Sequence, residues 1–422
     1  MKNLFTGTLA LAALGSVAYA TPDPKPATTE TEWERLDREI GDLASTIRRP
    51  DSGTRIGVLV RTYYMHSNDA AFDVDSSNPS VNSGNRVGGF GMPDADLFAE
   101  GAVSDIDYRL SFGYKLGATN DAVIEIEDAW ARIFCDEGVG LTIGKYRTPV
   151  LLSNRRHPEN LLLPYRTFSG QILDVYDSGV MVTGDWKSLG GFFSVQNGTD
   201  LKESKLLYSS RVEYRLFGGT GRVEGGFGAP DDLRATFGGM WLRDSSNTID
   251  GSAFGVDANA TMGPFSAHGE IIHWDGELLA QETGGFGGNG VSRISGNDYF
   301  GRTMLPINYA ENGSGGNPVK DVDIWSLTFA YFFLDCDVEL ALRLQGYDDP
   351  GNTRSATIGA NWYRNGRNAV WYAGLTQVNS NDHAADTGGG SAPAAGNGQA
   401  EGIGDALLFM IGLSVGASTS AL

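Results

Sequence analysis

From Gly53 to the C-terminus the chain switches between alternating apolar and polar runs of about ten residues and turn-rich connectors, short connectors taking turns with long ones. Ile56, Val58, Val60 and Tyr64 share one side of a run whose other side carries Arg55, Gly57 and Arg61. Tyr108, Leu110, Phe112 and Tyr114 alternate with Arg109, Ser111, Gly113 and Lys115. Val338, Leu340, Leu342 and Leu344 alternate with Glu339, Arg343 and Gln345. Leu407, Phe409, Ile411, Leu413 and Val415 line one side of the last run. A soluble sandwich alternates in the same way, so the connectors decide. Even-numbered runs end in tight links at Ser104-Asp105, Lys187–Gly190, Gly263-Pro264, Leu334–Cys336 and Asn365–Arg367. Odd-numbered runs end in long ones, at His66–Pro93, Arg147–Asp174, Asp275–Asp321 and Asn379–Ile403. Phe217–Asp232 breaks the rule by being long where a turn is due, and Leu116–Asp121 is shorter than its neighbours. A sandwich has no reason to sort loops by parity. A membrane barrel does, with tight turns on the periplasmic side and long loops outside. The sixteen runs predict an all-β fold, a sixteen-stranded antiparallel transmembrane β-barrel over residues 53–422.

The segments before the barrel have their own signatures. Residues 1–20 read as a cleaved signal peptide, with Lys2 as the positive n-region, Leu9–Leu14 as the apolar core and Ala18-Tyr19-Ala20 as the cleavage site. That core is too short to span a bilayer. Residues 21–31 form a linker rich in proline and threonine. Over 32–48, Trp33, Leu36, Ile40, Leu43 and Ile47 recur at heptad spacing, and Pro50 closes the stripe. This predicts a short periplasmic amphipathic helix, either packed on the barrel or joining subunits as a small coiled coil. Ile at a with Leu at d favours a dimer in isolation, so the stripe alone does not argue for a trimer.

Composition narrows the function. No later segment carries eighteen consecutive apolar residues, which argues against a helical membrane protein. A formal charge of −20 argues against nucleic acid as a partner, so any positive site must be local. The 58 glycines fit many turns and crowded barrel positions. The two cysteines, Cys135 and Cys336, fall beside turns on opposite walls of a sixteen-strand barrel, far beyond the ~7 Å Cα limit of a disulfide, and no bridge is expected.

One loop stands out. Arg147–Asp174 is long and apolar, with Val150-Leu151-Leu152 and Leu161-Leu162-Leu163, yet carries Arg147, Arg155, Arg156, His157 and Arg166 against only Glu159 and Asp174. Folded into the barrel, it would pack its leucines on the inner wall and bring guanidiniums to the narrowest section. Guanidiniums stay charged and offer fixed donors to an anion, and low-dielectric walls focus their field. The alternative is that these arginines pair with lumen carboxylates such as Glu125, Glu127 or Glu213 and pin the loop. Both readings are open, and they are compatible.

Asp128-Ala129-Trp130, then Leu141-Thr142-Ile143-Gly144-Lys145-Tyr146-Arg147-Thr148-Pro149 and Tyr176-Asp177-Ser178-Gly179-Val180, resemble the phosphate-selective porin O/P family of Gram-negative outer membranes. The likeness covers roughly residues 120–185 and is architectural elsewhere. It implies a sixteen-stranded barrel, a homotrimer and an anion-attracting pore constricted by the third long loop, where Lys145, Arg147, Arg155, Arg156 and Arg166 fall. The chain departs from the family at Ser420-Ala421-Leu422, which lacks the usual terminal aromatic.

Other motifs carry less. Gly412-Leu413-Ser414-Val415-Gly416 has the nucleophile-elbow pattern but lies inside an alternating run, where the required strand-to-helix turn has no place. Gly285–Gly290 has a dinucleotide-like pattern inside a glycine-rich loop. His268 and Glu270 share a strand face with His273 on the other, which fits a lumen pair rather than a metal site. Asp73-Val74-Asp75 and Asp94-Ala95-Asp96 read as solvated carboxylates.

The expectation is an outer-membrane porin that passes small hydrophilic solutes and prefers anions, with no catalysis, no cofactor and no metal. Arg147, Arg155, Arg156 and Arg166 would form the constriction. Arg61, Arg109, Lys115, Arg211, Arg215 and Arg343 would line the approach, with Glu125, Glu127, Glu213, Asp257 and Glu339 keeping selectivity modest. Lipid and lipopolysaccharide would surround it. The competing reading is a structural barrel with a plugged lumen, tethered through its N-terminal helix to a periplasmic partner.

Overall fold

The computed structural model describes residues 53–67, 87–116, 122–136, 138–172, 176–198, 206–221, 223–245, 250–275, 321–348, 354–379 and 406–418. The signal peptide, the linker, the heptad helix with Trp33, Leu36, Ile40, Leu43 and Ile47, the Asp73–Asp75 cluster and the Gly285–Gly290 motif lie outside the described residues.

Sixteen strands follow in chain order: β1 (Thr54–Ser67), β2 (Val87–Val103), β3 (Ile106–Leu116), β4 (Ala122–Asp136), β5 (Val139–Arg147), β6 (Tyr176–Trp186), β7 (Leu189–Gln196) and β8 (Leu207–Leu216). The second half comprises β9 (Arg234–Ser245), β10 (Asp250–Met262), β11 (Phe265–Trp274), β12 (Val322–Phe333), β13 (Val338–Tyr347), β14 (Arg354–Tyr363), β15 (Ala369–Asn379) and β16 (Ala406–Ser418). Every strand pairs antiparallel with its sequence neighbours, and β1 pairs with β16 from Gly57↔Ser418 to Ser67↔Leu408. Closure removes both free edges, which would otherwise present unpaired backbone groups.

The two faces sort as the alternation predicts. Ile56, Val58, Leu110, Leu340, Leu342, Leu407, Phe409, Ile411 and Val415 are exposed on the outside, while Arg109, Ser111, Glu339, Arg343 and Thr357 are buried inside. This inverts a soluble protein: the apolar side chains face out, as a barrel in lipid requires. Trp362 and Trp371 stand opposite each other on the outer face of β14 and β15, both well exposed, as interfacial aromatics do. Trp274, the last residue of β11, is by contrast completely buried.

Most connectors keep their parity; the long link from β8 to β9 and the short one from β9 to β10 do not. β2 and β3 turn through Ser104-Asp105, where Ser104 takes φ 56°. The left-handed conformation matches the twist that a tight hairpin needs. One boundary differs from the sequence reading: β2 begins at Val87 rather than beyond Pro93. The register slips between Arg61 and Tyr63, opposite Met92 and Pro93. A proline without an N–H is accommodated at such an irregularity, and it hid the strand from a search for clean alternation.

Candidate functional site: an infolded loop and the lumen beside it

The connector between β5 and β6 folds into the barrel. It contains α1 (Leu152–Arg155), a 3-10 turn at Pro158–Asn160 and α2 (Phe168–Ile172). Its apolar residues are the reason: Val150, Leu151, Leu162, Leu163 and Phe168 are all buried. Leu162, Leu163 and Tyr165 cluster with Tyr63, Ala330, Ala341, Tyr372, Val378, Leu408 and Met410 on the wall formed by β12, β13, β15, β16 and β1. Fully burying one leucine is worth about 2 kcal/mol, so three such groups hold a loop that water would not.

Polar contacts fix its path. Arg61 donates to the Pro164 carbonyl at 2.8 Å and Arg343 to the Tyr165 carbonyl at 2.7 Å. Asn361 donates to the Leu162 carbonyl at 2.5 Å. Tyr165 meets Thr357 and Thr376 at 2.9 and 2.6 Å. Glu270 accepts from Thr167, from Ser169 at 2.6 Å and from Ser326 at 3.2 Å, with His268 Nε2 at 3.3 Å. The His268–Glu270 pair is thus a lumen pair, while His273 pairs with Asp323 at 2.8 Å.

A second segment enters from the other end. The connector between β8 and β9, long where a turn was due, turns inward. Gly226 and Tyr363 donate to the two oxygens of Glu339, each at 2.5 Å, and Phe227 stacks on Tyr363 with centroids 4.2 Å apart. Gly225 sits at φ 100°, where a Cβ would fall 2.6 Å from the Glu339 carboxylate, so only glycine fits there. Glu224 then reaches the infolded loop. Its amide donates to the Asn160 carbonyl at 2.9 Å, and its carboxylate accepts from the Leu162 amide at 3.0 Å and from Arg343 at 2.9 Å. Arg156 lies 3.5 Å from the same carboxylate without a hydrogen bond to it. Burial pushes the Glu224 carboxyl up, but Arg343 and Arg156 overcome that and hold it down at about 2. Burial also lowers the Arg156 guanidinium, which is 0% exposed.

The residues singled out from sequence separate into groups. Arg147 donates to the Asn154 and Arg156 carbonyls at 3.1 and 2.9 Å and to Tyr176. Arg166 donates to the Ser153 and Arg156 carbonyls. Arg155 pairs with Glu213 at 2.7 Å and lies 4.5 Å over the Phe192 ring. Arg211 forks onto Asp257 at 2.5 and 2.7 Å and donates to the Val150 carbonyl at 2.8 Å, while Asp257 accepts from the Leu152 amide at 3.1 Å. Arg109 pairs with Asp128 at 3.0 Å and with Glu100. Arg215 forks onto Asp185 at 2.9 Å for each bond. Lys145 stands opposite Ala129 and Ser178, on the side shared with Ile143 and Val180, both exposed on the outer face; the register therefore puts it outside the lumen. Lys115 lies in β3, and its side chain falls outside the described residues.

What the two infolded segments leave open is a cavity of about 480 Å³ against β4 to β9. Its lining includes Arg132, Arg147, Arg155, Arg215 and Arg234, five guanidiniums, against the three carboxylates of Asp128, Asp185 and Glu213. Thus, in a chain of charge −20, the described residues lining this cavity carry a surplus of two positive charges. Arg132, Arg234 and Glu224 were not singled out from sequence, and Asp128 entered only through the Asp128-Ala129-Trp130 motif, without a place at the site. Asp128 sits in β4 at a register shift opposite Ser111 and Arg132 lies beyond it, which alternation does not reveal. Glu224 lies in a connector without periodicity.

Among the described residues, no group of three or more His, Cys, Asp or Glu could hold a metal ion. Ser414 lies inside β16, opposite Arg61 and Val370, without the strand-to-helix turn of a nucleophile elbow.

No protein-family model matches the sequence, and no curated protein matches it. The fold has solved counterparts. An anion-selective porin from Comamonas acidovorans superposes with a TM-score of 0.52, covering 87% of this chain and 100% of that one at 11% identity. OmpT of the Vibrio cholerae outer membrane superposes at 0.48, covering 88% and 100% at 14% identity. The first establishes a porin-like barrel fold for this chain. Identities this low transfer no residue roles, and the second superposition is too loose to carry an argument.

Proposed function

We propose that this barrel is an outer-membrane porin, a passive water-filled channel for small hydrophilic solutes that favours anions. The observation that carries the reading is the cavity beside the infolded loop, where, among the described residues, five arginines face three carboxylates inside a barrel with an apolar exterior. A fixed surplus of positive charge between low-dielectric walls raises the local concentration of anions. The described solute preference of the Comamonas porin points the same way. Arg147 and Arg155 contribute to the constriction directly, and Arg156 and Arg166 support the loop that forms it. Phosphate is one candidate permeant, and a homotrimer in lipid and lipopolysaccharide is the assembly we propose. The test is the reversal potential of purified protein in a planar bilayer under a potassium chloride gradient, repeated with phosphate. Anion-directed reversal supports the reading, and a cation-directed or unselective current defeats its anion part.

The meeting of two infolded segments at Asn160, Leu162 and Glu224 favours a second reading, a lumen too obstructed to conduct. Folded protein that inserts and passes no current would establish it over the first.

A further inference from the structure

The cavity's five guanidiniums are not equivalent. Arg147 spends its donors on loop carbonyls, Arg155 and Arg215 face carboxylates, and Arg132 donates to Thr142 at 2.9 Å. Arg234 alone among them has neither a hydrogen bond nor an ion pair among the described residues, and its Nε is buried without a partner. It is the first residue of β9, so it stands at the short-turn end of the cavity, beside Gly218. Thr236 follows two residues on, on the same face and buried. The Thr236 hydroxyl accepts from the Thr220 amide and the Thr220 hydroxyl, both at 2.9 Å, which leaves its own proton to donate. A cation matched to a carboxylate presents a dipole whose field fades faster than that of a single charge.

We propose that Arg234, with the Thr236 hydroxyl, is the anion-recognition subsite of the channel at its short-turn mouth, and that a small inorganic anion takes its N–H and O–H donors in passing. This rests on the porin reading above. Selectivity then depends on a wall residue of β9 more than on the arginines of the infolded loop, whose charges are committed to holding that loop.

The test compares reversal potentials of wild type, Arg234→Gln and Arg234→Lys as folded full-length proteins in bilayers under a potassium chloride gradient. With wild type anion-directed, Arg234→Gln is expected to lower the anion-to-cation permeability ratio by about twofold to threefold, while Arg234→Lys keeps it. An unchanged ratio in folded Arg234→Gln overturns the subsite and leaves the porin standing. A wild type without anion preference overturns the anion reading and the subsite together. If Arg234→Gln does not fold, Thr236→Val decides, read as current reduction by inorganic phosphate: weaker reduction than in wild type supports the subsite and equal reduction overturns it.

Discussion

The carboxylate of Glu224, on the segment entering from the short-turn end, accepts a 3.0 Å hydrogen bond from the amide of Leu162, on the loop entering from the other end. Arg343 of the barrel wall holds the same carboxylate at 2.9 Å. This three-way joint fastens the loop to the barrel wall and to the connector between β8 and β9. Replacing Glu224 by Gln keeps an acceptor for Leu162 but leaves Arg343 and Arg156 buried without their counter-charge. The expected cost is about 3 kcal/mol of barrel stability, with noisier single-channel current as the loop loosens. Equal stability in lipid-vesicle unfolding would refute the role of the joint.

The same carboxylate sets a pH response. Its folded value of about 2 lies below the ordinary 4.5, so its contribution is complete above 4.5 and is lost as pH falls toward 2. Stability attributable to Glu224 should therefore be flat from neutral pH to about 4.5 and decline below it. Subtracting the profile of Glu224→Gln from that of wild type isolates this component. A difference that already declines near neutral pH would be inconsistent with the mechanism.

Arg211 and Asp257 form a fork that is completely buried and that holds both the Val150 carbonyl and the Leu152 amide. Asp257→Leu alone should cost about 3 kcal/mol, because it strips the buried Arg211 guanidinium of its forked partner and leaves it, among the described carboxylates, only the 3.4 Å contact of its Nε with Glu213. Adding Arg211→Met should recover a large part of that loss. A double variant as damaged as the sum of the singles would show that the two residues do not act as a pair.

Arg155 lines the cavity, whereas Arg156 is sealed between the loop and Glu224. Arg155→Ala should shift the reversal potential toward zero by less than Arg234→Gln does, since Glu213 retains Arg211 and Arg215. Arg156→Met should lower stability with a smaller effect on selectivity. The reverse ranking in bilayer recordings would return selectivity to the loop arginines.

Cys135 and Cys336 are free and exposed beside turns of the same parity. Both should react with a maleimide reagent in folded protein without prior reduction, which mass spectrometry of the labelled chain checks directly. A single label would mean that one thiol is covered in the assembled barrel.

The ladder of strands was legible because it repeats. Period-two alternation and the parity of connector lengths each recur many times, so one anomaly such as Pro93 in β2 displaces a boundary without hiding the barrel. The infolding of the loop was legible from Leu161-Leu162-Leu163 set among arginines. The division of labour among those arginines was not. Whether Arg156 meets Glu224 or an open lumen depends on a connector with no periodicity, sixty-odd residues away along the chain. Arg234 escaped notice for a related reason: lacking a partner is a property of three-dimensional surroundings, and nothing in the residues around it signals that lack. Lys145 shows the opposite case, since strict alternation with Ile143 would already have turned it outward.

The seat that receives Leu162, Leu163 and Tyr165 is shared between Tyr63 at the start of the barrel and Leu408 and Met410 at its end. These residues become neighbours only when β1 and β16 zip together. Closure therefore completes the seat: a chain still open at that seam would lack the side that Tyr63 supplies beside Leu408 and Met410, so shutting the barrel and seating the loop reinforce each other.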